Sequence, residues 1–516
     1  MSFEKRLLVF AALFIIACDL FYSHFKVMYG GDEIISYLCA TGNSVNYEEV
    51  LHGQFPYGKI SDAAEWKKYF EINEPHSYLK IASDLCVNDL HPPLYFWLLH
   101  LFVLGFGVHI FTGILLNLVL QLFTFFFVYK LAFYFFNDHH RSVIAALVWA
   151  ISPACAAVAF NARPYELLQL LSAAYLLNFL YWLKKPGRLK VILLVAIGTT
   201  GLLTHYSFLY VIASCGIFFV FKLKNAGLRN FIVFVIAAVL AFATMTLIHP
   251  CWGDSFLTQH LRKESFSPEQ VPFRITKVII GLVNFFLPVM SFKNLHHFLS
   301  PSYLSIAIIF FFAIIGIAIY LWKELRNSVK SILSAAVFSD AMLMLIILAV
   351  TTISPYLFFL THEHAMGGQY LVFLYPMLAI VVIEFLKSCT KKVQLFFIFT
   401  LAFGCFFDWS VVYLNQQKDK ILIEKIENNK MIIVNNMERR AFPRFIPYLK
   451  PGQKILMDEN AICQNNSLIK DLLNHKPFLF ISTRDKRKGL GSYGIGNFEN
   501  FETTDGIEFY VSEVKP

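Results

Sequence analysis

Eleven apolar runs constrain this chain more than any other feature. They lie at 7–24, 108–131, 143–160, 165–183, 189–204, 206–222, 229–248, 301–322, 338–359, 370–386 and 393–413. Each approaches the length that crosses about 30 Å of hydrocarbon, and a water-soluble core has no place for so many. Composition agrees: 57% of residues are hydrophobic and 15% charged, against roughly 45–50% and 25% in soluble domains. The expected fold is an all-α polytopic membrane protein with about 11–13 transmembrane helices. The net charge of +9 does not point to nucleic acid, because the basic residues sit in short loops between apolar runs, as membrane orientation requires. Lys5 and Arg6 precede Leu7 to Phe21 without a small-residue cleavage site, so this run reads as a retained first span.

The same basic loops give the direction. Lys184, Lys185, Arg188 and Lys190 form one group; Lys222, Lys224 and Arg229 a second; Lys323, Arg326 and Lys330 a third; Lys387, Lys391 and Lys392 a fourth. All fall on one side, which the positive-inside rule makes the cytoplasm. The amino terminus is then inside. The 25–107 loop, the Arg163 and His205 turns, residues 249–300 and the tail after 414 are outside. Two further apolar stretches would break this parity if they crossed. Pro92 to Phe106 reads as an interfacial helix begun by Pro92-Pro93, and 276–292, with Pro288 inside it, as interfacial or re-entrant.

The expected division is a transmembrane part at 1–413 and a small extracytoplasmic α/β domain at 414–516. In the latter, Met431 to Val434, Lys454 to Met457, Pro477 to Ser482 and Ile507 to Val511 read as strands, and Ser467 to Asn474 as helix. That domain carries no motif of chemistry and reads as a cap. Of nine cysteines, Cys18, Cys155, Cys215, Cys389 and Cys405 lie in or beside spans as small apolar residues. Cys39, Cys86, Cys251 and Cys463 are placed outside, where disulfides form; Cys39 and Cys86 share the first loop and are candidates to bridge. No cysteine spacing suggests zinc.

Few residues are placed to carry chemistry. Asp32 and Glu33 follow the first span at the head of a polar loop. Neighbours on a helix point about 100° apart and do not serve one spot, and the bland alternative is a solvated loop start after a Gly30-Gly31 turn. Arg163, in Phe-Asn-Ala-Arg-Pro-Tyr-Glu, is a cation on the outer face, against the charge trend. It calls for an anionic partner: a first-loop carboxylate, a lipid phosphate, or simply Glu166. His205, in Thr-His-Tyr, marks another outer turn, and His91 precedes Pro-Pro; either alone reads equally well as a hydrogen-bonded anchor. Their shared placement on one side of the membrane sets them apart.

In order and spacing, Asp32-Glu33 after the first span, His-Pro-Pro-Leu-Tyr at 91–95, Arg163-Pro164-Tyr165 and Leu203-Thr204-His205-Tyr206 resemble the GT-C membrane glycosyltransferases. The branch is that of protein O-mannosyltransferases, aminoarabinose transferases and their bacterial relatives. The resemblance covers roughly residues 1–250 and continues through Gln369-Tyr370 to Pro376. It implies the GT-C fold and an inverting enzyme of the bacterial cytoplasmic membrane. Such an enzyme takes a sugar from a polyprenyl phosphate and transfers it, at the outer face, to a glycan, lipid or protein. It implies Asp32 as the main catalytic carboxylate beside Glu33, with His91, Arg163, Tyr165, His205, Tyr206, Gln369 and Tyr370 toward the donor phosphate. Many relatives carry Arg where this chain has Gln369, and some carry Lys where it has His91; both changes remove a fixed positive charge.

The chemistry follows from the residue types. An acceptor hydroxyl loses its proton as it attacks the anomeric carbon, and one carboxylate takes it. The leaving lipid phosphate is already anionic and needs cationic and hydrogen-bonding support, which Arg163, His205, Tyr165 or Tyr206 supply. A divalent metal is an option where an acidic pair meets a phosphate, but the few carboxylates argue against an obligatory one. No Gly-rich phosphate loop faces the cytoplasm. The rival readings are a transporter or flippase of lipid-linked sugars and a non-catalytic relative. A transporter should carry paired charges inside broken spans, whereas Glu384, Asp408 and Asp340 are scattered.

Overall fold

The computed structural model describes residues 3–49, 60–87, 91–253, 269, 271–287, 312, 316–324, 326–327, 339–358, 368–435, 441–458, 477–482, 499–502 and 508–514. The chain divides into two compact units. One comprises residues 1–21, 89–95 and 114–410; the other comprises 22–88, 96–113 and 411–516.

Among the described residues, five helices are long and apolar enough to cross a membrane: Arg6–Phe25, Ile110–Phe136, Tyr165–Lys184, Leu228–Ile248 and Asp340–Leu357. The expected run at 143–160 is a bent pair, His139–Ala150 and Pro153–Ala159, which turns by 63° and makes a sixth if taken as one span. Ile151 and Ser152 form the break and Pro153 restarts the helix at its first position, where a missing N–H costs nothing. The runs at 189–204, 206–222 and 370–386 become the helices Arg188–Thr204, Phe208–Phe221 and Tyr375–Lys387, of 17, 14 and 13 residues. Most of 301–322 lies outside the described residues, as do Pro288 and Ser467 to Asn474.

The first unit is a helical core held by aromatic and small-residue contacts. Phe179 packs edge-on against Phe234 at 5.4 Å between ring centroids, with Trp149, Trp182 and Tyr175 fully buried around it. Helix Arg188–Thr204 lies against Leu228–Ile248 where both are narrow: a Cβ on Gly198 would sit 3.0 Å from that of Ala241. Thr199 donates across the same gap to the Ala241 carbonyl at 3.2 Å. Close approach through small residues is the usual way to join helices where lipid removes the hydrophobic drive.

The second unit is built on a six-stranded sheet of order β1-β3-β2-β4-β6-β5. The strands are β1 (Ile60–Asp62), β2 (Met431–Asn435), β3 (Lys454–Asp458), β4 (Phe478–Ser482), β5 (Glu499–Glu502) and β6 (Glu508–Val514). The central pairs β2–β3 and β2–β4 are parallel and the outer pairs antiparallel. All five residues of β4 are buried, as a strand covered on both faces must be. Two strands were not expected. β5 is short and polar, and β1 comes from the first loop rather than the C-terminal segment. Its Ser61 hydroxyl donates to the Ile455 carbonyl at 3.1 Å and accepts from the Trp66 indole at 2.9 Å. The first loop is largely helical, through Gly31–Ala40, Ser44–Glu49, Ala63–Lys67 and Tyr78–Val87. The Cys39–Cys86 bridge is not formed: Cys39 is a buried cysteine of Gly31–Ala40 outside any disulfide, and Cys86 is disulfide-bonded elsewhere.

Candidate active site

In the second unit, Asp32 and Glu33 open the helix Gly31–Ala40. Carboxylates are favoured there by the exposed N–H groups and the helix dipole. The two then part company, as adjacent helical positions should. Glu33 is buried. Both of its oxygens lie 2.7 Å from the Lys26 ammonium, and Oε2 also accepts from the Gly30 N–H at 2.9 Å. It therefore closes the first turn and pins Lys26. Asp32 is half-buried.

Segments far away in sequence hold the approach to this turn. The Val27 N–H donates to Gln416 Oε1 at 2.7 Å, and the Tyr448 hydroxyl donates to the Val27 carbonyl at 2.6 Å. Tyr29 packs edge-on against Tyr37, 5.3 Å between centroids, and Tyr37 donates to the His109 carbonyl at 2.9 Å. Burial, with the Glu33 charge adding to it, pushes the Tyr29 and Tyr448 phenols above their ordinary range, so both remain neutral hydrogen-bonding groups.

In the first unit, His91, Arg163, Tyr165, His205 and Tyr206 are all buried and cluster where helices break. Arg163 lies between Pro153–Ala159 and Tyr165–Lys184. A buried amide shapes that turn: Asn117 donates to the carbonyls of Ala159 at 3.1 Å and Asn161 at 2.7 Å while accepting from Tyr95 at 3.0 Å. Arg163 Nη2 lies 3.4 Å from His91 Nε2. A guanidinium only donates, so Nε2 is the acceptor and the ring proton sits on Nδ1. His205 packs edge-on against His91 at 5.6 Å between centroids and tilted against Tyr165 at 6.0 Å.

His205 caps Arg188–Thr204 in extended backbone conformation. Its Nδ1 accepts from the Ser207 N–H at 3.1 Å, which leaves the proton of the neutral ring on Nε2 and makes that atom a donor. The turn is tight because Gly201 has no room for a side chain; the Phe208 ring occupies the place of a Cβ. Tyr206 meets His249 Nε2 at 3.1 Å, and burial pushes the His249 imidazolium down to about 4. Glu166 is not the partner of Arg163. It accepts from Thr124 at 2.9 Å and from Gln169 at 3.2 Å. Gln369 and Tyr370 lie on the 3-10 helix Gly368–Leu374, with their side chains outside the described residues. Of the charges scattered in late spans, Asp340 pairs with Lys222 at 2.6 Å and Glu384 accepts from Ser339 at 2.6 Å.

The sequence reading missed Lys26, Gln416, Tyr448 and His249. One signal was available for Lys26: it is the cation nearest in sequence to the acidic pair, at the end of the first span.

The family model that matches, described as "Dolichyl-phosphate-mannose-protein mannosyltransferase", covers residues 90–249, which contain the His91, Arg163 and His205 turns. No curated protein matches the chain in sequence. Among solved structures, the chain is similar to ArnT from Cupriavidus metallidurans bound to undecaprenyl phosphate, at 13% identity and TM-score 0.51 with 97% of each chain covered. The same protein in the apo state matches at 13% identity and TM-score 0.50, again over 97% of each chain. The Archaeoglobus fulgidus oligosaccharyltransferase, in a complex with Zn and sulfate, matches at 12% identity and TM-score 0.45 over 98% of this chain and 72% of that one. The fold is that of the GT-C membrane glycosyltransferases, a bundle of apolar helices with a small sheet in its C-terminal region. The chain is an integral membrane protein of that architecture.

Proposed function

We propose that the chain is an inverting glycosyltransferase of the bacterial cytoplasmic membrane. It takes a sugar from a polyprenyl-phosphate donor and passes it to a hydroxyl of a glycan, lipid or protein at the outer face, with the amino terminus in the cytoplasm. In this reading the transmembrane part is 1–413 and the extracytoplasmic part 414–516.

The observation that carries the proposal is the buried cluster of donors in the first unit. Arg163 supplies a fixed positive charge and His205 an Nε2–H, both in apolar surroundings where they act strongly on a developing phosphate charge. His91 orients the Arg163 fork, and Tyr165 packs on His205. Gln369 and Tyr370 belong to the same phosphate-binding role. Tyr206, held by His249, buttresses the His205 turn. In the second unit Asp32 accepts the proton of the attacking hydroxyl, while Glu33, tied to Lys26 and the Gly30 N–H, keeps the turn in shape. The departing lipid phosphate needs no acid. The matched family model and the lipid phosphate bound to the ArnT relative support a lipid-linked donor.

The test is transfer of labelled sugar from a panel of polyprenyl-phosphate sugars by the purified protein in nanodiscs. Loss of label from the lipid, with gain of label in an alcohol acceptor and inverted anomeric configuration, is the expected outcome. Retained configuration would exclude the single-displacement mechanism. Transport of intact lipid-linked sugar across sealed vesicles without transfer would favour a flippase.

A further inference from the structure

Glu166 is fully buried in the helix Tyr165–Lys184, and no step above uses it. It lies three residues beyond Arg163, where a carboxylate would oppose the lipid phosphate that this turn is proposed to hold. Its hydrogen bonds can be followed proton by proton. The Trp149 indole Nε1 donates to Gln169 Oε1 at 2.8 Å. An indole only donates, so this contact fixes the Gln169 amide, whose Nε2–H then donates to Glu166 Oε2 at 3.2 Å. At the other end, Thr124 Oγ1 lies 2.9 Å from Glu166 Oε1 and 2.8 Å from the Leu120 carbonyl. A hydroxyl has one proton, and a helical threonine gives it readily to the carbonyl four residues back. The contact with Glu166 Oε1 then needs a second proton, which the carboxyl itself must supply.

The surroundings are short of donors as well. Ala11, Ile15 and Asp19 recur every fourth residue on the buried stripe of the first span, and Asp19 Oδ2 has no hydrogen-bond partner among the described residues. The buried Gln121 Oε1 has none either. Gln121 lies on the face of Ile110–Phe136 between Asn117, bonded to the Asn161 carbonyl, and Thr124. Among the described residues, the titratable groups that act on Glu166 from other elements are an acid, Asp19, and a thiol, Cys155. Two neighbouring carboxyls in apolar surroundings do not both stay ionised.

We propose that Glu166 is a proton-binding site inside the membrane part: its Oε1 carries the proton and donates it to Thr124, and as a neutral acid it adds no negative charge beside Arg163. The chain of donors then runs in one direction, from Trp149 through Gln169, Glu166 and Thr124 to the Leu120 carbonyl. Glu166 is a positioning residue and touches no substrate. The proton stands apart from the proposed function; its consequence for the lipid phosphate rests on the reading of Arg163 given there.

The experiment is infrared spectroscopy of the full-length protein in nanodiscs at neutral pH, with polyprenyl-phosphate binding measured on the same samples. Wild type should show a protonated-carboxyl band that is lost in Glu166→Gln and survives in Asp19→Asn. Thr124→Val removes the acceptor and leaves the acid, so the band should remain but move to the position of a weaker hydrogen bond. This arm keeps the test decisive if Glu166→Gln does not fold. Affinity for polyprenyl phosphate in Glu166→Gln should stay within about twofold of wild type, because one neutral hydrogen-bonding group replaces another. A spectrum from which Glu166→Gln removes no such band overturns the proposal. So does a band that Asp19→Asn removes instead, or one that Thr124→Val leaves unmoved. Tighter lipid binding in Glu166→Gln would also overturn it, since an anion would then have been removed beside Arg163. Wild type that binds no polyprenyl phosphate would remove the reading of Arg163 and leave the infrared arms to decide the proton.

Discussion

The two clusters are built in opposite ways. In the first unit, Arg163, His91, Tyr165 and His205 present donors and aromatic faces, and the nearby Glu166 is turned aside to Thr124 and Gln169. These residues sit at helix breaks, and the Arg163–His91 contact joins positions 72 apart in sequence. In the second unit, the turn that carries Asp32 and Glu33 is held by contacts 389 and 421 residues apart in sequence. Under the proposed function, the difference separates two tasks of glycosyl transfer. Support of a leaving phosphate needs fixed donors in a dry place, which the buried first-unit cluster would provide. Acceptance of a proton needs a carboxylate, and the turn that presents Asp32 is fastened from segments far along the chain.

If this contrast is right, the largest effect belongs to the proton acceptor. Asp32→Asn should lower transfer by about 10²–10⁴ and leave polyprenyl-phosphate binding near normal. Glu33→Gln should cost much less rate and show itself as a lower melting temperature, because it releases Lys26. Comparable rate losses in both variants would break the division of labour within the pair.

The donor cluster should give the next largest effect. Arg163→Ala should weaken both turnover and affinity for polyprenyl phosphate, on the order of tenfold to a hundredfold for a charge-assisted hydrogen bond. Arg163→Lys should recover a part of each. Unchanged lipid affinity in Arg163→Ala would assign Arg163 to the turn alone.

A smaller, pH-dependent effect should mark the edge of the same cluster. The His249 imidazolium is pushed down to about 4, below the value of about 6.5 for an unfolded chain. The unfolded state therefore takes up a proton first as pH falls. The stability this group contributes is full above about pH 6.5 and drains away toward pH 4, by about 2 kcal/mol. Thermal melts of His249→Gln between those limits should lose less than wild type. Parallel slopes would show that Tyr206 is held some other way.

These contrasts also explain what was legible in the sequence. Periodicity and run length located most of the helices, and the strands at 431, 454, 478 and 508 announced themselves as short apolar runs rich in Ile, Val and Phe between polar stretches. Arg163 and His205 stood out because each is a polar residue punctuating an apolar run. Gln416, Tyr448 and the strand Ile60–Asp62 did not. Their roles exist only after residues hundreds of positions apart are paired, and neither a short polar strand nor one glutamine or tyrosine among many has a local signature. Gly201 was silent for a related reason, since its lack of a side chain matters only against the ring of Phe208.

The edge strand Ile60–Asp62 has a temporal consequence. Its partner Lys454–Asp458 leaves the ribosome after the polymerisation of almost 400 further residues; Ser61 and Ile455 are 394 apart. At about 5–20 residues per second that is a wait of roughly 20–80 s, during which the first loop is without its sheet. A pairing of such long range is among the slow steps of folding. The turn bearing Asp32 is likewise fastened to Gln416 and Tyr448, so a nascent chain can thread its first spans long before its acidic turn has been assembled. Under the proposed function, catalytic competence would arrive last, when the final segment docks, and a truncated product would hold the proposed donor-binding turns without a finished base.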